Sequence, residues 1–158
     1  MMFNQATDYG FRIVLRLAKS PLGTRLEAME ISRNECIPER YLFKVMRKLS
    51  KAGIVKSYRG MNGGFALARL PELITLLDVV EAVEGPIYLN VCFKDENQCN
   101  RKSAGFCAVH QELASLRHDI YSRLNAINFK ELLHKEERVK GCGLPFVEGN
   151  AIVVNRAN

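Results

Sequence analysis

The chain has 158 residues, 47% hydrophobic and 25% charged, with a net charge of +6 and a pI near 9.2. That is enough apolar content to bury a core in one domain, or in a small domain with an appendage. No apolar run approaches the roughly 18–20 residues that a bilayer-spanning helix needs. The opening "MMFNQATDYGF" lacks the basic start and apolar centre of a signal peptide, so the expected location is cytoplasmic. Five cysteines in such a chain point away from a disulfide framework and toward free thiols, catalysis or metal binding.

"FRIVLRLAK" places Ile13, Val14 and Leu17 at helical spacing, and the Pro21–Gly23 turn ends this first helix. Thr24 and Glu27 have the spacing of a capping box for a short second helix, with Leu26, Met29 and Ile31 as its apolar side. "NECIP" then breaks the chain. Cys36 in this break reads as a small buried filler. Pro38 suits the first turn of a third helix, "PERYLFKVMRKLSKAG". Its apolar positions Tyr41, Leu42, Val45, Met46 and Leu49 form one stripe, and Gly53 is placed to terminate it. Two short helices joined by a tight turn, the second one basic, make a helix-turn-helix pattern.

"IVKSY" and "FALAR" follow as two strands, joined by "RGMNGG", whose three glycines and asparagine suit a turn with positive φ. A hairpin directly after a basic helix is a wing. Residues 33–69 hold nine basic and two acidic residues, a net of +7, while the other 121 residues net −1. Helix, hairpin and concentrated charge together point to duplex DNA, with a helix in a major groove and the hairpin on phosphates or the minor groove. Glu39, Arg40, Phe43, Lys44 and Arg47 lie off the apolar stripe. Candidate contacts are Arg40, Tyr41, Lys44, Arg47 and Lys48 on the helix, with Arg59, Asn62 and Gly63 at the hairpin tip. Arg40 and Lys44 can reach guanine edges, whereas Arg47 and Lys48 suit phosphates.

Thr75 and Asp78 offer a capping box for "LLDVVEAVEG", with Leu76, Leu77, Val80 and Val83 facing inward and Gly85–Pro86 as the stop. In the polar stretch that follows, Cys92, Cys99 and Cys107 leave six and seven residues between thiols. Its polar residues cannot fold around a core, but a multi-thiolate metal centre would organise it. His110 stands three residues after Cys107, near one helical turn. Spacing leaves three readings open: an iron–sulfur cluster, a zinc site with three cysteines and a histidine, or unligated thiols. "HQELASLRHDIYSRLNAI" is a long helix with Leu113, Leu116, Ile120, Leu124 and Ile127 on one stripe. A second copy is the economical cover for that stripe, and folding back on the core is the alternative. His118 and His134 read as helix-surface residues. The tail "KGCGLPFVEGNAIVVNRAN" shows no clear pattern, and Cys142 between its glycines has no assigned role.

"IPERYLFKVMRKLSKAGIVKSYRGMNGGFALAR", with "ITLLDVVEAVEG" and "CAVH", resembles the IscR/NsrR/RirA-type family of bacterial winged helix-turn-helix transcriptional regulators, over about residues 3–135. The resemblance implies a mainly α fold with a small β-hairpin. It divides the chain into a winged helix-turn-helix DNA-binding domain (1–84), a cysteine-rich cluster-binding loop (85–110), a dimerisation helix (111–135) and a tail (136–158). It also implies a homodimer on double-stranded operator DNA, and an iron–sulfur cluster, two-iron or four-iron, on Cys92, Cys99 and Cys107. Some members take a histidine three residues past the third cysteine as the fourth ligand, which matches His110. Others take an aspartate on the first helix of the other subunit, which matches Asp8. The loop departs from the family's usual spacing of five and five. Phe43 departs too: an aromatic ring accepts no hydrogen bond there, but it can contact a thymine methyl. An enzyme is the rival class, yet no Ser-His-Asp order, phosphate-binding glycine loop or paired carboxylates occur in a suitable context.

Overall fold

The computed structural model describes residues 3–60, 63–95, 99 and 106–142. The chain forms α1 (Gln5–Ala18), α2 (Ala28–Asn34), α3 (Glu39–Lys51), β1 (Val55–Tyr58), β2 (Gly64–Leu67), α4 (Leu76–Val83), α5 (Ala108–Asn125) and α6 (Phe129–Cys142).

The first helix is capped by Asn4, whose side chain accepts from the Thr7 N–H at 3.1 Å. Its buried face carries Ile13, Val14 and Leu17, as the spacing predicts. Gly10 lets α4 approach closely, since a Cβ there would lie 3.0 Å from Val79 Cγ1. Helix α3 buries Leu42, Val45, Met46 and Leu49, while Tyr41 stays at the surface. It ends in a Schellman motif: Ile54 N–H donates to Leu49 O at 3.0 Å and Gly53 N–H to Ser50 O at 3.1 Å, with Gly53 at φ +68°.

The expected Thr24–Glu27 capping box does not form. Helix α2 begins one residue after Glu27 without a side-chain cap. Leu26 is instead drawn into extended pairing with the wing, exchanging two backbone bonds of 2.9 Å with Phe65. Two backbone bonds outweigh one cap. Cys36 is also corrected: it is exposed rather than a buried filler, in a left-handed turn at φ +51°. Ile37, the next residue, takes the buried place at 1% exposure.

Strands β1 and β2 pair antiparallel, with Val55 opposite Leu67 and Tyr58 opposite Gly64. Helix α4 has the expected capping box, Asp78 N–H to Thr75 Oγ1 at 3.2 Å and Thr75 N–H to Asp78 Oδ2 at 2.9 Å. Val79, Val80 and Val83 are its buried residues, while Leu76 and Leu77 are half-buried. Helix α5 packs on α4 and has no buried residue. Leu113, Ile120, Leu124 and Ile127 are half-buried, and Leu116 is 53% exposed.

The chain then turns back on itself. Leu76 N–H donates to Ile127 O and Phe129 N–H to Ile74 O, both at 3.0 Å. This seats Phe129 in the core at 0% exposure, with Leu132 and Leu133 packed against it. Lys19 pairs with Glu136 at 2.9 Å and ties α6 to the end of α1. Among the described residues, no helix is long and apolar enough to cross a membrane.

Candidate nucleic-acid interface and thiol site

The buried stripe of α3 fixes what its opposite face must present. Arg40, Phe43, Lys44 and Arg47 all fall on that exposed face. Arg40 is steadied by its neighbour: Nη2 donates to the Tyr41 hydroxyl at 3.2 Å, and the guanidinium sits 4.7 Å from the Tyr41 ring centroid. Phe43 is half exposed, with its ring 6.4 Å from that of Phe65 on the wing, so helix and hairpin meet through two aromatics. Lys48 is placed differently. Its ammonium donates to Val83 O, the last carbonyl of α4, where the helix dipole is negative.

The hairpin tip is built by its glycines. Gly60 has φ +94°, and Gly63 N–H donates to Gly60 O at 2.9 Å. A Cβ at Gly63 would lie 2.8 Å from both Tyr58 O and Gly60 O, so the turn closes only on glycine. Arg59 is exposed at this tip. Asn62, expected beside it, lies outside the described residues. Below the tip, the Arg25 guanidinium lies 4.0 Å from the Tyr58 ring centroid and Lys56 Nζ 5.5 Å from it. Sequence reasoning missed this group. Arg25 lies 33 positions before Tyr58, and the Leu26–Phe65 bridge brings the segments together.

The thiols divide between two settings. Cys92 is buried in a short 3-10 turn, Val91–Phe93, and its Sγ lies 3.4 Å from His110 Nδ1. The two stand 18 positions apart in the chain, and they close the base of the cysteine loop. Cys107 occupies the N-cap position of α5, so His110 projects from that helix's first turn. Cys107 and Cys99 are half-buried. Loop residues 96–98 and 100–105 lie outside the described residues. Among the described residues, no three His, Cys, Asp or Glu side chains gather into a group that could hold a metal ion. The pair that does meet, a thiol and an imidazole, suits soft metals and iron–sulfur centres.

Asp8 is engaged elsewhere. It forms an i,i+4 ion pair with Arg12 on α1, and Arg12 also donates to Glu35 O at 3.1 Å. The hydrogen bond to Asp8 raises the Arg12 guanidinium above its ordinary value.

A three-helix core with a reading helix and a paired wing defines a winged-helix DNA-binding protein. The Rrf2 family model, described as an iron-dependent transcriptional regulator, matches residues 3–135, and the chain belongs to that family. It is 34% identical to the HTH-type transcriptional regulator NsrR of Bacillus licheniformis over 100 residues, 63% of this chain and 70% of that protein. Two solved structures share the fold at 23% identity. CymR, the global cysteine regulator of B. subtilis, aligns with a TM-score of 0.68 over 85% of this chain and 98% of its own. IscR of T. potens aligns with a TM-score of 0.67 over 94% of each chain. The protein is accordingly a DNA-binding transcriptional regulator, and its relatives are regulators rather than enzymes.

Proposed function

We propose that this regulator works in the cytoplasm as a homodimer on two-fold operator DNA, and that it senses through an iron–sulfur cluster on Cys92, Cys99 and Cys107 with His110 as the fourth ligand. The observation that carries the reading is the 3.4 Å approach of Cys92 Sγ to His110 Nδ1 across the base of the loop. His110 is favoured over Asp8 because it already stands beside a candidate ligand, whereas Asp8 is paired with Arg12. Arg40, Tyr41, Lys44 and Arg47 would meet the major groove, with Arg59, Asn62 and Gly63 on the adjacent backbone or minor groove. The second copy is supported by α5, which buries no residue and leaves Val109 63% and Leu116 53% exposed.

The resemblance to a global cysteine regulator supports a second reading, in which the thiols act without a cluster or hold a structural zinc. Anaerobic reconstitution separates the two. The cluster reading expects iron, sulfide and visible absorption, each lost in Cys92→Ala, Cys99→Ala and Cys107→Ala but retained in Cys36→Ala. His110→Ala should alter the spectrum and Asp8→Ala should leave it unchanged. A colourless protein containing zinc would select the second reading. Equal operator affinity for loaded and cluster-free protein, measured without oxygen, would make the centre structural rather than sensory.

A further inference from the structure

Helix α5 holds an arginine in a setting that DNA binding does not explain. The Arg117 guanidinium lies 5.2 Å from the ring centroid of Tyr121 and 5.7 Å from those of Tyr88 and Phe93. Its Nε is buried with no hydrogen-bond partner among the described residues. Three rings around one guanidinium make a cation–π cage, whose strength grows as water is excluded. One of those rings has a second contact. Phe93 stacks on His110 with centroids 4.4 Å apart and planes 29° from parallel. His110 in turn meets Cys92. A continuous line of contacts therefore runs from Arg117 through Phe93 to the imidazole and the thiol.

We propose that Arg117 is a positioning residue for the thiol–imidazole site: by holding Phe93, it fixes the ring plane of His110 beside Cys92. The metal-binding part of this inference rests on the reading of His110 as a ligand; the positioning part does not. Phe93 follows Cys92 directly and lies in the same short turn, so a ring anchored to α5 also anchors the backbone of that thiol. A histidine ligand needs its ring orientation set by a neighbour, usually through a hydrogen bond to its second nitrogen. Here the ring is set by stacking, and the stack is held by a charge about two turns along the same helix.

Two measurements test this. In the metal-free protein, proton NMR should show the His110 ring resonances, identified by their loss in His110→Ala, shifted upfield by the Phe93 ring. Arg117→Met should remove more than half of that shift, and Arg117→Lys, which keeps the charge but not the planar contact, should fall between. An unchanged shift in Arg117→Met would overturn the proposal whatever the site binds. Should Arg117→Met fail to fold by far-UV circular dichroism, Arg117→Lys decides on the same criterion. In reconstituted protein, Arg117→Met should lose visible absorption to a chelator about tenfold faster than wild type, the scale typical of outer-sphere changes. Because Arg117 acts through the imidazole, the double variant with His110→Ala should lose its centre no faster than His110→Ala alone. Full additivity would assign Arg117 a structural role only. Wild-type protein that takes up no iron or sulfide would defeat the cluster reading, and the NMR result would still decide the role of Arg117.

Discussion

Phe129→Ala tests whether the chain after α5 belongs to the DNA-binding core. The ring is fully buried, and the backbone at and just before it is held by the bonds to Ile74 and Leu76. A phenylalanine buries about 150–250 Å2, which at about 25 cal/mol per Å2 gives about 4–6 kcal/mol. Alanine keeps part of that contact, and the cavity relaxes only partly, so the expected cost is about 3–5 kcal/mol. Urea unfolding followed by far-UV circular dichroism should show it. With a slope of about 1–3 kcal/mol per molar, the midpoint should fall by about 1–5 M. Operator binding, measured where the variant is still folded, should change little, because Phe129 is on no DNA-facing element. A cost below about 1 kcal/mol would mean that α6 does not pack on α1 and the Pro71–Leu73 turn in solution, and the seating of Phe129 would be wrong.

Other substitutions separate contact from architecture. Arg59→Ala should weaken operator binding by about 1–3 kcal/mol if the side chain reads a base edge, and by less if it meets phosphate; anisotropy titrations at fixed salt measure this. An unchanged affinity would remove the wing tip from the interface. Gly64→Ala should destabilise the wing by about 1–3 kcal/mol in thermal unfolding, since φ is +151° and the new Cβ would lie 2.6 Å from Leu26 O. A neutral result would contradict the close pairing of Leu26 with Phe65.

Much of this architecture was legible because local and tertiary signals agreed. The stripe of α3 and its Gly53 stop, the two strands and the Thr75–Asp78 box each satisfy their own backbone bonds, so nearby residues announce them. The remainder depended on contacts or backbone geometry that spacing alone does not carry. Residues 24–27 looked like a helix start because a distant strand that claims Leu26 cannot be seen from their own spacing. Helix α6 carries Phe129, Leu132 and Leu133 at i, i+3 and i+4, a legible but short signal among charged residues. Residue type alone places Cys36 inside, yet the turn inverts the backbone and gives the buried place to Ile37. At the thiol site, the Cys107–His110 spacing was readable. The meeting of Cys92 with His110 and the cage on Arg117 depend on α5 packing against α4.

Lys48 brings the two kinds of inference into direct conflict. By position it is a basic residue on the reading helix, suited to a phosphate. By geometry its ammonium is committed to Val83 O, at the end of a helix whose last carbonyls lack intrahelical donors. The same end of α4 is tied to α1, because Glu84 Oε1 accepts from the Asn4 N–H at 3.0 Å and from the Thr7 hydroxyl. Lys48 thus joins the reading helix to the junction that leads into the cysteine loop. Lys48→Met keeps the aliphatic stem and removes the charge. If the tie to α4 is its role, the variant should lose about 0.5–1.5 kcal/mol of stability. The dependence of operator affinity on salt should then match wild type. Lys44→Met, on the exposed face, serves as the comparison: loss of one phosphate contact should reduce the slope of log affinity against log salt by about one. A Lys48→Met protein that is as stable as wild type, with its slope reduced as in Lys44→Met, would return Lys48 to the DNA backbone and leave the α4 terminus without this link to the reading helix.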